Sequence, residues 1–132
     1  MGVRVPRGEL TVVLGPPIVR RRLMAMLDDD APGVRRLSAP PGATAARRVQ
    51  VIEAVADDVP ALVLAERVTE DLDAAGRRVV LTALRALART GPAVLVDDDD
   101  AVAALAVADA TLRADPLCGL TVEPVGLPAL SA

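Results

Sequence analysis

Three polar clusters follow apolar runs in this chain, and each contains residue types that could do chemistry. Arg20, Arg21 and Arg22 come shortly after LTVVLGPP, Glu66 directly follows ALVLA, and the run Asp97 to Asp100 directly follows AVLV. Arginines at a helix N-terminus can bind an anion, and a carboxylate at the end of a strand can act as a general base. Clustered carboxylates are the ligands that Mg²⁺ and Ca²⁺ prefer.

Each cluster also has a purely structural interpretation. The arginines can form a solvated face or pair with the acidic runs, and a lone carboxylate such as Glu66 is commonly salt-bridged. The aspartates can stabilise the positive N-terminal end of a helix, and Gly15-Pro16-Pro17 can be a turn that ends a strand rather than a contact for phosphate. The sequence leaves both interpretations of each cluster open.

The elements that position these clusters can be predicted from the pattern of apolar residues. Continuous apolar runs bounded by turn residues are typical of strands buried on both faces, and apolar residues at i, i+3, i+4 and i+7 indicate an amphipathic helix. Strands are predicted at Leu10 to Leu14, Ala61 to Ala65, Ala93 to Val96, Ala110 to Arg113 and Leu120 to Glu123. Helices are predicted at about Val19 to Leu27, from the N-cap Thr44 to Ala56, at Ala74 to Thr90 with Asp73 as the N-cap, and on to Ala108 after the aspartates,. The predicted apolar stripe of the second helix is Val49, Ile52 and Ala56.

Alternating strands and helices with continuous apolar strands predict an α/β fold, a three-layer mostly parallel sheet with helices on both faces. The 132 residues form a single predicted domain,. Within it, residues 28–43 are predicted to be a loop and residues 124–132 a loose tail. Ligands of such sheets bind beyond the carboxyl ends of the strands, which is where the three polar clusters are expected.

Composition excludes some classes of function. The formal net charge of -3 argues against a general nucleic-acid binder,. All 15 basic residues are arginine. The single cysteine, Cys118, cannot form an intrachain disulfide, and no apolar run is long enough for direct membrane insertion,. The N-terminus also lacks the pattern of a signal peptide, so we expect a cytoplasmic protein.

The order of these segments resembles the ATP-binding cassette family of P-loop ATPases, the motor subunits of ABC transporters. The GEL-apolar-GPP entry is similar to the strand that leads into the family's Walker A loop, and RRVQVIEAVADDVPALVLAE to the helix and strand that lead into Walker B. DLDAAGRR is similar to the D-loop, and AVLVDDDDAVAALAVAD to the strand of the switch histidine. The resemblance implies a P-loop NTPase-like fold, a truncated cassette core.

At the Walker A loop, G-x-x-x-x-G-K-[ST], the resemblance implies a nucleotide-binding segment that has diverged. Gly15 matches the first glycine, but Arg20 replaces the second glycine, Arg21 the lysine and Arg22 the hydroxyl residue; Pro16 and Pro17 lie between them, and Ile18 stands where a further glycine is usual. The phosphate cradle needs positive φ values that glycine reaches freely. The resemblance therefore implies at most weak binding of ATP and magnesium, with no cofactor expected.

The other nucleotide-facing positions show similar replacements. Ala65 stands at the Walker B aspartate position, whereas the general base of the family has its counterpart in Glu66. Asp98 stands at the switch-histidine position, where its negative charge would repel a γ-phosphate. The resemblance thus implies a general base without its metal partner, and no metal site is predicted from it.

Two further motifs are retained in part. Leu37-Ser38 starts like the LSGGQ signature before departing into APPG, and Leu72-Asp73 matches the D-loop. About ten residues separate the first predicted helix from Leu37, too few for the helical subdomain that contacts the membrane part of a transporter. The predicted loop at 28–43 would replace that subdomain.

The preferred hypothesis is a non-hydrolysing cassette protein that acts as a binding, scaffold or regulatory subunit. Family members dimerise across nucleotide, so the resemblance implies a homodimer or a heterodimer with an intact cassette, and association with a membrane permease. One alternative is a metal-dependent phosphate or nucleotide enzyme that uses Glu66 and Asp97 to Asp100. Another is a purely structural assembly subunit.

Overall fold

Strands and helices alternate along most of the chain in a computed structural model that describes residues 5–27, 32–115 and 119–125. The elements are β1 (Leu10–Leu14), α1 (Pro17–Met26), β2 (Val34–Ser38), α2 (Ala45–Val55) with a 3₁₀ turn (Ala56–Asp58), β3 (Leu62–Glu66), α3 (Ala74–Arg89), β4 (Ala93–Asp97), α4 (Ala101–Leu105), β5 (Ala110–Asp115) and β6 (Gly119–Pro124).

The strands form one six-stranded sheet in the order β2-β3-β4-β1-β5-β6. All neighbouring pairs are parallel except β5 and β6, which are antiparallel. The register places Val12 beside Val96 and Glu66 beside Asp97. The carboxyl ends of β1, β3 and β4 therefore lie next to one another, and the residues that follow these strands share one edge of the sheet.

Helices cover both faces of the sheet, as the fold prediction requires. On one face Leu10, Val12 and Val96 pack with side chains of α2, α3 and α4, among them Ile52 and Leu84. The opposite face has a smaller core in which strand residues contact α1; its buried members are Val13, Leu23, Met24, Leu64, Leu95 and Leu112. Because both faces are covered, the central strands read as continuous apolar runs. The α/β prediction of a three-layer, mostly parallel sheet is confirmed.

The predicted loop at residues 28–43 is wrong in its middle, because Val34–Ser38 forms β2 at the edge of the sheet. This strand pairs in parallel with β3, from Val34 beside Leu62 to Ser38 beside Glu66. Its sequence, VRRLS, lacks the continuous apolar run of an interior strand, since only Leu37 is buried. An edge strand is specified by backbone pairing to its neighbour, which no local apolar pattern reports.

The two C-terminal strands are confirmed as β5 and β6, each slightly longer than predicted. Residues 126–132 of the predicted loose tail lie outside the described residues, as does Cys118. The N-caps predicted for α2 and α3 are also confirmed. Thr44 accepts a hydrogen bond from the amide of Arg47 at 3.1 Å, and Asp73 accepts one from the amide of Gly76 at 2.7 Å,.

Candidate functional site

The connection between β1 and α1 is short. β1 ends at Leu14 and α1 begins at Pro17, two residues earlier than the helix predicted from Val19. Pro16 is the N-cap and Pro17 the first helical residue, a position that suits proline because the first helical amide has no acceptor,. The segment aligned with the second half of the Walker A loop is therefore helical, and Ile18 and Arg20 avoid the positive φ that a phosphate cradle would impose.

Most backbone amides between Pro16 and Arg20 are not available to a ligand. Pro16 and Pro17 have no N–H, and the amides of Val19 and Arg20 both donate to the carbonyl of Pro16 at 3.0 Å. Gly15, with φ of 133°, makes the turn out of β1. Between Pro16 and Arg20 this leaves the amide of Ile18 to meet a ligand.

Arg20 is buried, only 6% exposed, and connects α1 to the end of β4. Its Nη1 donates to the Asp97 carboxylate and, at 3.0 Å, to the carbonyl of Asp98, while Nη2 donates to Asp99 Oδ1 at 2.9 Å. Its Nε donates to the carbonyl of Gly15 at 3.0 Å. The Arg20 guanidinium thus ties together the ends of β1 and β4, where the fold would receive a ligand.

The aspartates of the Asp97–Asp100 run point to different partners. Asp98 accepts from the hydroxyl of Thr69 at 2.5 Å and from the amide of Asp100 at 2.8 Å. Asp100 caps α4 by accepting from the amide of Ala103, and it also accepts from Arg77 Nη1 at 3.1 Å. Across the described ranges, no group of three or more His, Cys, Asp or Glu side chains is arranged to hold a metal ion.

Two carboxyls of this run have pKa values shifted in opposite directions. Burial raises the pKa of Asp97 above its usual range, and the charge and hydrogen bond of Arg20 offset part of that effect,. The hydrogen bond from Arg20 lowers the pKa of Asp99, whose side chain is 53% exposed. Arg20 therefore binds two carboxylates in different environments, the buried one of Asp97 and the solvated one of Asp99.

Glu66, the predicted general base, is paired with an arginine. It forms an ion pair with Arg36 of β2, and Arg36 Nη2 also donates to the carbonyls of Met24 at 3.1 Å and Leu27 at 3.0 Å. Arg36 thereby joins the C-terminal end of α1 to the carboxyl end of β3. Arg36 was not among the predicted site residues, because it lies in the strand that was predicted to be a loop.

The remaining predicted arginines are more exposed. Arg21 Nη2 lies 3.7 Å from Asp99 Oδ2, with half of the Arg21 side chain exposed, and Arg22 is exposed on α1. Neither side chain joins the buried contacts that the preceding residue, Arg20, makes on the same helix. Helix periodicity explains the difference, because consecutive residues are displaced by about 100° around the axis.

The signature-like and D-loop-like residues lie in different settings. Leu37 and Ser38 are the last two residues of β2, and α2 begins at Ala45. Leu72 packs against the larger core, and Asp73 caps α3. The D-loop-like pair therefore sits at the start of α3, beyond the same sheet edge as Glu66.

Arg48 is a buried arginine that the predicted apolar stripe of α2 did not include. Val49 and Ala56 of that stripe are only half-buried, whereas Arg48 is 4% exposed and lies on the inner face with Ile52 and Val55. Arg48 donates to three carbonyls: Ala43 at 3.0 Å, Val68 at 3.1 Å and Glu70 at 2.6 Å. It holds the segment between β3 and α3, where Thr69 contacts Asp98. No periodicity argument would place a charged side chain on that face.

None of the helices in the described ranges combines the length and the apolar character that a membrane span requires. No protein-family model matches the sequence. No curated protein sequence matches it either.

The fold is similar to that of solved ATP-binding cassettes. A dimeric cassette in a post-hydrolysis state, bound to ADP and phosphate, matches with a TM-score of 0.64 at 12% identity over 95% of this chain and 89% of the other. A nucleotide-free cassette from an ABC transporter matches with a TM-score of 0.62 at 9% identity over 84% and 78%. A Clostridium perfringens protein that is part of an ABC transporter complex matches with a TM-score of 0.56 at 11% identity over 86% and 76%. The chain therefore has the α/β fold of solved ABC-type ATP-binding cassettes.

Proposed function

We propose that this chain is a non-hydrolysing cassette domain that acts as a binding or scaffold subunit, with Arg20 taking the structural place of a nucleotide. The buried contacts of Arg20 carry this proposal. In a working cassette the bound phosphates would connect the β1–α1 loop with the ends of neighbouring strands. Here the Arg20 guanidinium makes that connection, to Gly15, Asp97, Asp98 and Asp99.

The backbone around Gly15 supports the same proposal. A phosphate cradle requires several inward-pointing amides, but two residues of this segment are prolines and two amides are bonded to Pro16. Rearranging the segment to bind phosphate would mean unwinding the first turn of α1 and removing Arg20 from its buried partners. Both steps oppose nucleotide binding.

The acidic residues do not fit the magnesium ion that accompanies ATP in this fold class. Asp97 and Asp99 bind Arg20, Asp98 binds Thr69, and Glu66 binds Arg36. An incoming cation would have to compete with the guanidinium groups that already neutralise Asp97, Asp99 and Glu66. The proposed role therefore involves no magnesium-dependent step.

A scaffold role requires a partner, and the similar structures suggest its kind. One is a dimeric cassette and another is part of a transporter complex. We infer that this chain associates either with a second copy of itself or with an intact cassette of a transporter. Because Arg20 fills the place of the nucleotide, association should not depend on ATP.

Isothermal titration calorimetry with ATP and magnesium tests the non-hydrolysing role. We expect no micromolar binding and no phosphate release above the rate without protein. Sedimentation equilibrium tests self-association: a dimer should have the same apparent mass with and without ATP. Micromolar ATP affinity, ATP hydrolysis or a dimer that forms only with ATP would contradict the proposal.

A further inference from the structure

A second ligand-sized feature lies beside the Arg20 contacts. A cleft of about 390 Å³ opens between α1, β2 and the carboxyl ends of β3 and β4. Its volume falls in the range of small-molecule sites. We call it the Arg67 cleft; its lining residues are Arg21, Met24, Ala25, Arg36, Glu66, Arg67 and Asp97.

The carboxylates of the Arg67 cleft are already paired. Glu66 accepts from Arg36, and Asp97 accepts from Arg20, which lies next to the cleft. Arg67 differs, because among the described residues its guanidinium makes no hydrogen bond and no ion pair. Arg21 reaches only the exposed Asp99, at 3.7 Å. The cleft therefore contains two cationic groups able to receive an anion.

The backbone of Arg67 is in a conformation that favours glycine. Its φ is 49°, in the left-handed region, and its amide donates to the carbonyl of Asp97 at 2.8 Å. Left-handed residues with a Cβ are strained, and such strain is concentrated at ligand sites. Glycine would adopt this φ without strain. The chain instead has an arginine at this position, and the arginine side chain lines the cleft.

Three arginines act on one carboxylate at this edge of the sheet, that of Asp99. The pKa of Asp99 is lowered, chiefly by the hydrogen bond from Arg20, and the charges of Arg20, Arg21 and Arg67 all act in the same direction. The Asp99 side chain is exposed, so solvent screens part of this field. Arg21 and Arg67 of the cleft are thus both close enough to Asp99 to act on its carboxylate.

We propose that the Arg67 cleft binds a small molecule through an oxyanion group, a phosphate or a carboxylate, held by the guanidinium groups of Arg67 and Arg21. Guanidinium matches both groups, because its planar fork donates two parallel hydrogen bonds. Met24 and Ala25 of α1 offer apolar contact to the rest of the ligand. This site uses no amide of the β1–α1 connection.

Inorganic phosphate is the probe for this site, with binding measured by calorimetry and by thermal unfolding against sodium chloride at matched ionic strength. The diagnostic variant is Arg67→Gly, which removes the guanidinium while keeping a residue that prefers the observed φ. It should fold at least as well as the parent. Arg85→Gln, on the exposed face of α3, is the control with the same change in net charge.

We expect Arg67→Gly to weaken phosphate binding by about tenfold or more, Arg21→Gln to weaken it severalfold, and Arg85→Gln to leave it unchanged. Acetate at the same ionic strength distinguishes the two ligand classes: the anion that binds more tightly identifies the natural group. Equal phosphate affinity in Arg67→Gly and Arg85→Gln would overturn the proposal, as would no phosphate-dependent stabilisation of the parent beyond that of chloride.

These outcomes are separate from those of the nucleotide experiment. Micromolar binding of ATP with magnesium that persists in Arg67→Gly would remove the non-hydrolysing role and leave the Arg67 result standing. If the unaltered protein binds no phosphate, the Arg67 site is contradicted and the role of Arg20 is unaffected.

Discussion

The guanidinium of Arg20 in α1 donates to the carboxylate of Asp97 at the carboxyl end of β4, and both side chains are buried. The pair joins two elements that are 77 residues apart in sequence. Because the pair is buried, substituting only one of the two residues is costly: the remaining charge would stay desolvated and unpaired. This property leads to the first prediction.

Arg20→Met should lower the free energy of unfolding by about 3–5 kcal/mol, since it leaves the Asp97 carboxylate buried without its partner. Urea denaturation measures the loss. Arg21→Met is the matched control and should cost no more than about 1 kcal/mol, because Arg21 is half exposed. The double variant Arg20→Met with Asp97→Leu should recover most of the stability. Equal losses for the two single variants would show that the buried pair is not stabilising.

Arg48→Met should loosen the segment between β3 and α3. Arg48 donates to the carbonyls of Ala43, Val68 and Glu70, and hydrogen bonds from a charged donor contribute about 1.5–3 kcal/mol each when lost. Because three such bonds are lost, we expect the free energy of unfolding to fall by about 4–5 kcal/mol in urea denaturation, and hydrogen exchange at residues 67–73 to be faster. The neighbouring Arg47→Met, on the exposed side of α2, should change neither. Unchanged exchange in Arg48→Met would contradict the anchoring role.

Val59→Asn should stabilise the protein. Val59 has φ of 48° and is 84% exposed, so a β-branched side chain adopts a left-handed conformation while burying little surface. The left-handed conformation costs roughly 1–2 kcal/mol for such residues, and asparagine tolerates it better. We expect a gain of about 1 kcal/mol in thermal or urea unfolding.

The control for Val59 is Val79→Asn, in the exposed part of α3. Valine and asparagine have similar helix propensities, so this change should stay within about 0.5 kcal/mol of the parent. A destabilised Val59→Asn would mean that the valine side chain makes a favourable contact that outweighs its backbone strain.

The ion pair between Arg89 and Asp109 should make stability depend on pH in the acidic range. Arg89 donates to both carboxylate oxygens, at 2.8 and 2.7 Å, and the amide of Leu10 donates to Oδ2 at 2.9 Å. The hydrogen bond from Arg89 is the main cause of the lowered pKa of Asp109. A lowered folded-state pKa stabilises the protein above the unfolded pKa of about 3.9 and loses that effect as pH falls through the folded value.

Asp109→Asn should therefore be less stable than the parent at pH 7, by about 1 kcal/mol, and the difference should shrink as pH falls below about 4. Urea denaturation at several pH values measures both quantities. Glu53→Gln, which removes an exposed carboxylate of α2, should follow the pH profile of the parent. A constant difference between parent and Asp109→Asn down to pH 2 would exclude this linkage.

Much of the fold could be predicted because its signals are local. The buried strands β1, β3 and β4 are continuous apolar runs, and α3 combines a clear apolar stripe with a capping Asp73. These features depend on residues close together in sequence, so their periodicity and caps are visible without the structure. The order of such segments was enough to predict the α/β fold, and with it the edge of the sheet where Glu66 and Asp97 lie.

The contacts at that edge were decided by the tertiary structure. Sequence alone placed Arg20 beside Arg21 and Arg22 with no reason to prefer one, and only the packing of α1 against β4 selected Arg20 as the buried partner of Asp97. In the same way β2, Arg36 and Arg48 depend on pairing and burial against segments distant in sequence. A charged side chain is buried only where partners converge on it in space, and that convergence is a property of the assembled sheet rather than of any local pattern.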